Sequence, residues 1–204
     1  MQGKFIVFYG INRLGKTTQA KRLVDYFQDK DLRAEYLKYP IYKLEPFGPM
    51  INEILRSGKK QQVSELEFEM YYTINRFQFE PTLRSKLENG IHIISEDYRG
   101  TSLAWGSAKG LDMKSKEYRL LDSLNSKLLA EDVAILFDGT PFSSSIEKQH
   151  IHESNSELMD CCRLTHLEVG KQKNWIKINA NQPEEKVFTD VLHVLRRKFT
   201  KLPI

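Results

Sequence analysis

The stretch Tyr9 to Thr18, "YGINRLGKTT", constrains this chain more than any other. Gly10, Gly15, Lys16 and Thr17 hold the spacing G-x-x-x-x-G-K-S/T, the pattern of a loop that cradles phosphates. Glycines let backbone N–H groups close on phosphate oxygens where a Cβ would hinder them. The run before the loop, "KFIVFY" (Lys4 to Tyr9), is nearly continuous in apolar residues and reads as a buried parallel strand. After the loop, Ala20, Leu23, Val24 and Phe27 recur at helical spacing, so a helix opens just past Lys16 and adds its positive dipole end. Strand, glycine loop and helix in that order are the context in which the motif binds a nucleoside triphosphate. Gly10, Asn12, Arg13, Gly15, Lys16, Thr17 and Thr18 are therefore candidate ATP-binding residues. Lys16 is expected to reach the β- and γ-phosphates, and the Thr17 hydroxyl to ligate Mg²⁺.

Beyond the loop, short apolar runs alternate with longer segments of helical period. "AEYLKY" (Ala34 to Tyr39) predicts a second strand halted by Pro40, "IHIIS" (Ile91 to Ser95) a third, Val133 to Asp138 a fourth and "WIKIN" (Trp175 to Asn179) a fifth. Between them, the pattern predicts a short helix over about Gly48 to Arg56 and a long one from about Val63 to Asn89-Gly90. One helical stretch through Tyr118, Leu121, Leu124 and Leu128 separates the third and fourth strands. Ser154 and Glu157 form a capping-box pattern for a further helix, and Pro183 opens the last, through Val187, Val191 and Leu195. Strands separated by helices pair in parallel through right-handed crossovers. The expected fold is α/β, a five-stranded parallel sheet with helices on both faces, in one domain over residues 1–204.

Composition narrows the setting. The chain has 204 residues, 40% hydrophobic and 28% charged, as in ordinary globular domains. It holds no apolar run of about 18 residues, so no membrane span is expected. The strand-like run begins almost at once, which leaves no room for a leader segment. Cys161 and Cys162 are adjacent in a helical pattern, which disfavours a disulfide between them and fits a reducing, cytoplasmic setting. Net charge is +4, with Arg196, Arg197, Lys198 and Lys201 as the densest basic group. These cations suit the negative dipole end of a last helix, and no nucleic-acid partner is expected.

In open α/β sheets, ligands bind beyond the C-terminal ends of the strands. Three segments reach that edge: "YPIYK" (Tyr39 to Lys43), "YYTINRFQF" (Tyr71 to Phe79) and "SEDYRGTSLAWGSAKG" (Ser95 to Gly110). They concentrate aromatics with Arg76, Glu96, Asp97 and Lys109, a combination that can stack on a nucleobase and hydrogen-bond to its edge.

These motifs, in this order, resemble those of the thymidylate kinases, P-loop nucleoside monophosphate kinases. "FYGINRLGKTTQ" is similar to the family's F-E-G-x-D-x-x-G-K-S/T-T-Q opening, and "YPIY" sits where it has F-P-x-R. "YYTINRFQF" resembles L-F-x-A-N-R-x-E with Asn75 and Arg76 in register. "EDYRGTSLAWGSAKG" falls where D-R-Y-x-x-S-x-x-A-Y-x-x-A-K-G is expected, and "INANQPEEKVFTDV" matches the closing segment. The resemblance implies transfer of the γ-phosphoryl group of MgATP to dTMP, giving dTDP. It makes Tyr72 the ring stacked on thymine, and Arg76 the arginine that reaches the base. Tyr39, Tyr98 and Trp105 line the same pocket. It also makes Arg13 a catalytic arginine carried within the loop, matched by a lid at about 139–153 that contains Lys148 and no arginine. Glu96 stands in the family aspartate's place, as a Mg²⁺ ligand or an acid/base group, and a homodimer is expected.

The chain departs from the family at three positions: Asn12 replaces an acid, Tyr42 or Lys43 the F-P-x-R arginine, and Asp97 the D-R-Y arginine. Lys43, Arg99 and Lys109 are the candidates to supply the missing charge around an acceptor phosphate. Asn12 and Lys43 count here among nucleotide-binding candidates, as does Asp97. A deoxynucleoside kinase, whose uncharged 5′-hydroxyl acceptor needs a carboxylate base such as Glu96 or Asp97, is one alternative, and a kinase of another deoxynucleoside monophosphate is a second. An ATP-binding regulator without turnover is another.

Overall fold

In the computed structural model, which describes residues 2–56, 61–142 and 156–204, five strands form one sheet. They are β1 (Phe5–Tyr9), β2 (Ala34–Lys38), β3 (His92–Glu96), β4 (Val133–Asp138) and β5 (Ile176–Asn179), in the order β2-β3-β1-β4-β5. Each neighbouring pair is parallel. Among the described residues, six helices connect them and a seventh follows β5: α1 (Lys16–Gln28), α2 (Phe47–Arg56), α3 (Glu65–Glu88), α4 (Arg99–Ala108), α5 (Lys116–Asn125), α6 (Ser156–Gln172) and α7 (Glu184–Lys198).

Alternation along the central strands builds two cores, one on each face of the sheet. Ile6 and Phe8 of β1 join Val133, Ile135 and Phe137 of β4 beneath α1 and α7, whose Leu23, Phe27, Val191 and Leu195 complete that layer. Phe5, Val7 and Tyr9 point the other way, to Leu83 of α3 and Leu103 and Ala104 of α4. Both faces of β1 are covered, so all five of its residues are buried.

The expected strands and helices recur within a few residues, with three differences. The region between β3 and β4 forms two helices rather than one, because Gly110 (φ 106°) turns the chain and Ser115 caps a new start by accepting from the Tyr118 N–H. The segment "RGTSLAWGSA", read as part of the stretch at the end of the third strand, is thus α4. Trp175 precedes β5 instead of opening it, and stacks flat on Tyr9 with ring centroids 3.8 Å apart. Ser154 and the lid residues 143–153 lie outside the described residues, and α6 starts at Ser156. Among the described residues no helix is long and apolar enough to cross a membrane. Both cysteines are free, Cys161 exposed and Cys162 buried.

Candidate active site

The phosphate loop leaves β1 at Gly10, whose φ of 129° suits glycine, and a Cβ there would meet the Phe137 carbonyl oxygen at 2.4 Å. It closes at Gly15, the left-handed cap from which α1 begins. Lys16 is 4% exposed and folds back over the loop, its Nζ donating to the carbonyls of Gly10 (2.7 Å) and Ile11 (2.9 Å). The same Nζ lies 3.9 Å from Asp97 Oδ1. Arg13 adopts φ 63° and its carbonyl accepts the Phe142 N–H at 2.9 Å. Asp97, at φ 58°, is the second non-glycine residue of the site in the left-handed region, where backbone strain concentrates at functional positions.

Between the loop and the ends of β2 and β3 lies a cavity of about 540 Å³. Asn12, Arg13, Gly15, Lys16, Thr17 and Thr18 form its donor end. Tyr39, Tyr72, Arg76 and Trp105 wall the other end, with Glu96 and Asp97 between. Among the described residues lining it, Arg13, Lys16, Lys38, Arg56 and Arg76 are cationic, whereas Glu69, Glu96 and Asp97 are anionic. The wall is net positive, which suits anionic ligands.

The carboxylates at the end of β3 are held differently. Glu96, 2% exposed, accepts from the Tyr36 hydroxyl through Oε1, and its Oε2 lies 3.8 Å from Lys38 Nζ. Asp97 Oδ1 accepts from the Thr101 hydroxyl at 3.4 Å. Burial beside Glu96 pushes the Tyr36 hydroxyl far above its usual range, so it stays a donor. Hydroxyl and carboxylate oxygens of Thr17 and Glu96 line the same space, a donor set that fits Mg²⁺. Among the described residues no three His, Cys, Asp or Glu side chains group as metal ligands, so phosphate and water oxygens would complete the shell.

The far wall is a helix face. Glu69, Tyr72 and Arg76 of α3 share it through their 3- and 4-residue spacing. Arg76, 2% exposed, donates from Nη1 to Ser102 Oγ at 2.7 Å, while its Nε is buried without a partner. Burial pulls the guanidinium pKa down, and Glu69 opposes that pull. Burial pushes the Glu69 carboxyl up, countered by Lys109, Ser102 and Arg76. Asn75 turns away from the cavity and straps the loop after β2: its Oδ1 accepts the Ile41 N–H (2.8 Å) and its Nδ2 donates to the Ile41 carbonyl (3.1 Å).

Several expected residues lie elsewhere. Lys43 is exposed and outside the cavity wall, because the turn presents Tyr42 inward instead. Tyr98 is fully buried behind the wall, edge-on to Phe5 and tilted against Tyr39. Arg99 is drawn away to Glu131 (2.7 Å), and Lys109 pairs with Glu69 (3.3 Å) and Glu65. The cavity's cations from outside the phosphate loop are instead Lys38, Arg56 and Arg76. Lys38 ends β2 and was open to detection as the residue before the Tyr39-Pro40 stop. Arg56 carried no signal, since only tertiary packing sets α2 over Tyr42, 4.7 Å from guanidinium to ring. Glu69 was visible as the i−3 neighbour of Tyr72 on one helix face.

The family model described as thymidylate kinase matches residues 8–191, nearly the whole chain. The chain belongs to the thymidylate kinase family. A thymidylate kinase of Prochlorococcus marinus (strain NATL2A) is 28% identical, with 97% of this chain and 98% of that one covered. A probable thymidylate kinase of Thermococcus kodakarensis is 27% identical, with 90% and 87% covered. Among solved structures, a thymidylate kinase from Candida albicans superposes with a TM-score of 0.77 at 19% identity, covering 96% of this chain and 92% of that one, and shares the fold. As a member of this family the chain is a nucleoside monophosphate kinase.

Proposed function

We propose that this chain transfers the γ-phosphoryl group of MgATP to the 5′-phosphate of dTMP, giving dTDP for deoxynucleotide synthesis. The observation that carries the reading is one continuous cavity. The phosphate loop forms one end, an aromatic wall with a buried arginine the other, and two carboxylates stand between. Phosphoryl transfer is catalysed mainly by positioning and by charge stabilisation. In this reading Lys16, released from the Gly10 and Ile11 carbonyls, binds the β- and γ-phosphates. Arg13 stabilises charge on the transferring group. Thr17 and Glu96 hold Mg²⁺, which neutralises phosphate charge when bound. Tyr72 and Trp105 sandwich the acceptor base, with Tyr39 beside them and Tyr98 as their backing.

A net-positive wall supports a phosphorylated acceptor over an uncharged nucleoside. Lys38 and Arg56, rather than Lys43, Arg99 or Lys109, then face the acceptor phosphate. The proposal extends to a single domain over residues 1–204, a homodimer and a cytoplasmic setting, the last supported by two free cysteines.

The test is ADP release from MgATP with dTMP, dUMP, dCMP, dGMP or thymidine as acceptor. Turnover is expected with dTMP above the others. Turnover with thymidine but not dTMP would favour a nucleoside kinase. ADP release with no acceptor above background would favour a regulator.

A further inference from the structure

On the α3 wall of the cavity a buried carboxylate and a buried guanidinium share one helix face. Glu69 and Arg76 are each 2% exposed, and both line the cavity with Tyr72 and Trp105. Ser102 stands near both: its Oγ accepts from Arg76 Nη1 at 2.7 Å, and its hydroxyl helps to hold the Glu69 carboxyl down against the effect of burial. Their separation is set within the folded protein, before any ligand arrives.

Hydrogen-bond accounting leaves capacity on both groups. A carboxylate offers about four lone-pair positions. On Glu69, Lys109 (Nζ to Oε1 3.3 Å) uses one of them. Arg76 has five N–H donors, and its Nε has no partner. Arg76 lines the cavity and gives one terminal N–H to Ser102, which leaves further guanidinium donors for a ligand carbonyl. One acceptor-rich and one donor-rich group, side by side on the wall of an aromatic slot, match a flat heterocycle edge that presents a ring N–H next to a carbonyl.

We propose that Glu69 is a specificity-determining residue that accepts the imide N–H of the pyrimidine base, while Arg76 donates to the carbonyl beside it. This rests on the dTMP-kinase reading above and adds to it the residue that selects the base. Thymine and uracil carry the imide edge. Cytosine presents a bare ring nitrogen in its place, which a carboxylate repels. Loss of a partner from a site built to hydrogen-bond is penalised more heavily than loss of a methylene.

The experiment compares dTMP, dCMP and dTMP methylated at N3 in kcat/KM and in calorimetric binding, for wild type, Glu69→Gln and Glu69→Ala. The wild type is expected to favour dTMP over both analogues by at least about 100-fold. Glu69→Gln, nearly isosteric and able to donate from its amide, is expected to cut the dTMP-to-dCMP preference by at least about 10-fold. Glu69→Ala is expected to bind the N3-methyl compound within about threefold of dTMP, since both the acceptor and its bulk are gone. If Glu69 only balances the charge of Lys109, both variants lose affinity for all three ligands alike and the ratios stay at wild-type values. That result, in a wild type that turns over dTMP, overturns this inference alone. A wild type that turns over no dTMP overturns the activity reading with it.

Discussion

Arg13 occupies a left-handed backbone position that only tight local constraint maintains, and its buried Nε has no partner. The backbone position and its place on the cavity wall suit a side chain whose proposed partner is a transferring phosphoryl group. Interactions made only in the transition state change kcat, whereas those made equally in the ground state change KM. Arg13→Ala is therefore expected to lower kcat by about 10³-fold while moving the KM for ATP less than about threefold. Steady-state kinetics decide it, and equal losses in both constants would assign Arg13 to ground-state binding.

At the scale of elements, α3 governs the acceptor side. Its hydrophobic face is weakly defined because the buried surface carries Glu69, Thr73, Asn75, Arg76 and Glu80 as well as Phe68, Leu83 and Leu87. The helix is legible in the chain through its Ser64 cap and its Asn89-Gly90 end, not through amphipathic contrast. Asn75 makes the two-bond strap to Ile41 that fixes the Tyr39-to-Tyr42 turn against the cavity. Asn75→Ala leaves both Ile41 backbone groups without that partner, at a cost of about 1–3 kcal/mol in urea unfolding. The KM for dTMP is expected to rise about 10-fold or more with the KM for ATP unchanged. A rise in both constants would place the defect in the whole sheet edge rather than in the turn.

For the molecule as a whole, stability couples to a buried histidine of α6. His166 of α6 is 1% exposed, hydrogen-bonds to the Cys162 carbonyl at 2.8 Å, and is pushed down to about 4 by burial. An unfolded histidine titrates near 6.5. As pH falls below that value the unfolded chain takes up a proton that the folded chain refuses until about pH 4. Stability is thus full above about pH 6.5 and declines toward pH 4, by an amount on the order of 3 kcal/mol. His92, also lowered by burial, adds to the trend. Urea unfolding at pH 7.5, 5.5 and 4.5 is expected to show a shallower decline for His166→Gln than for wild type. Parallel declines would sink the assignment.

The phosphate loop, the order of strands and helices and the two-sided burial of β1 could be derived from the chain alone, because each depends on residues contiguous in it or on a period of two or 3.6. The charge lining the cavity could not. Lys43, Arg99 and Lys109 are as cationic as Lys38 and Arg56, and they stand as near to recognisable motifs. Arg99 meets Glu131, 32 residues away, and Lys109 meets Glu69, 40 residues away, while Lys43 turns to solvent. Burial makes an unpaired charge costly, so each cation settles by the partners that folding brings to it. Those partners come from other parts of the chain, and only the tertiary structure decides which cations line the cavity.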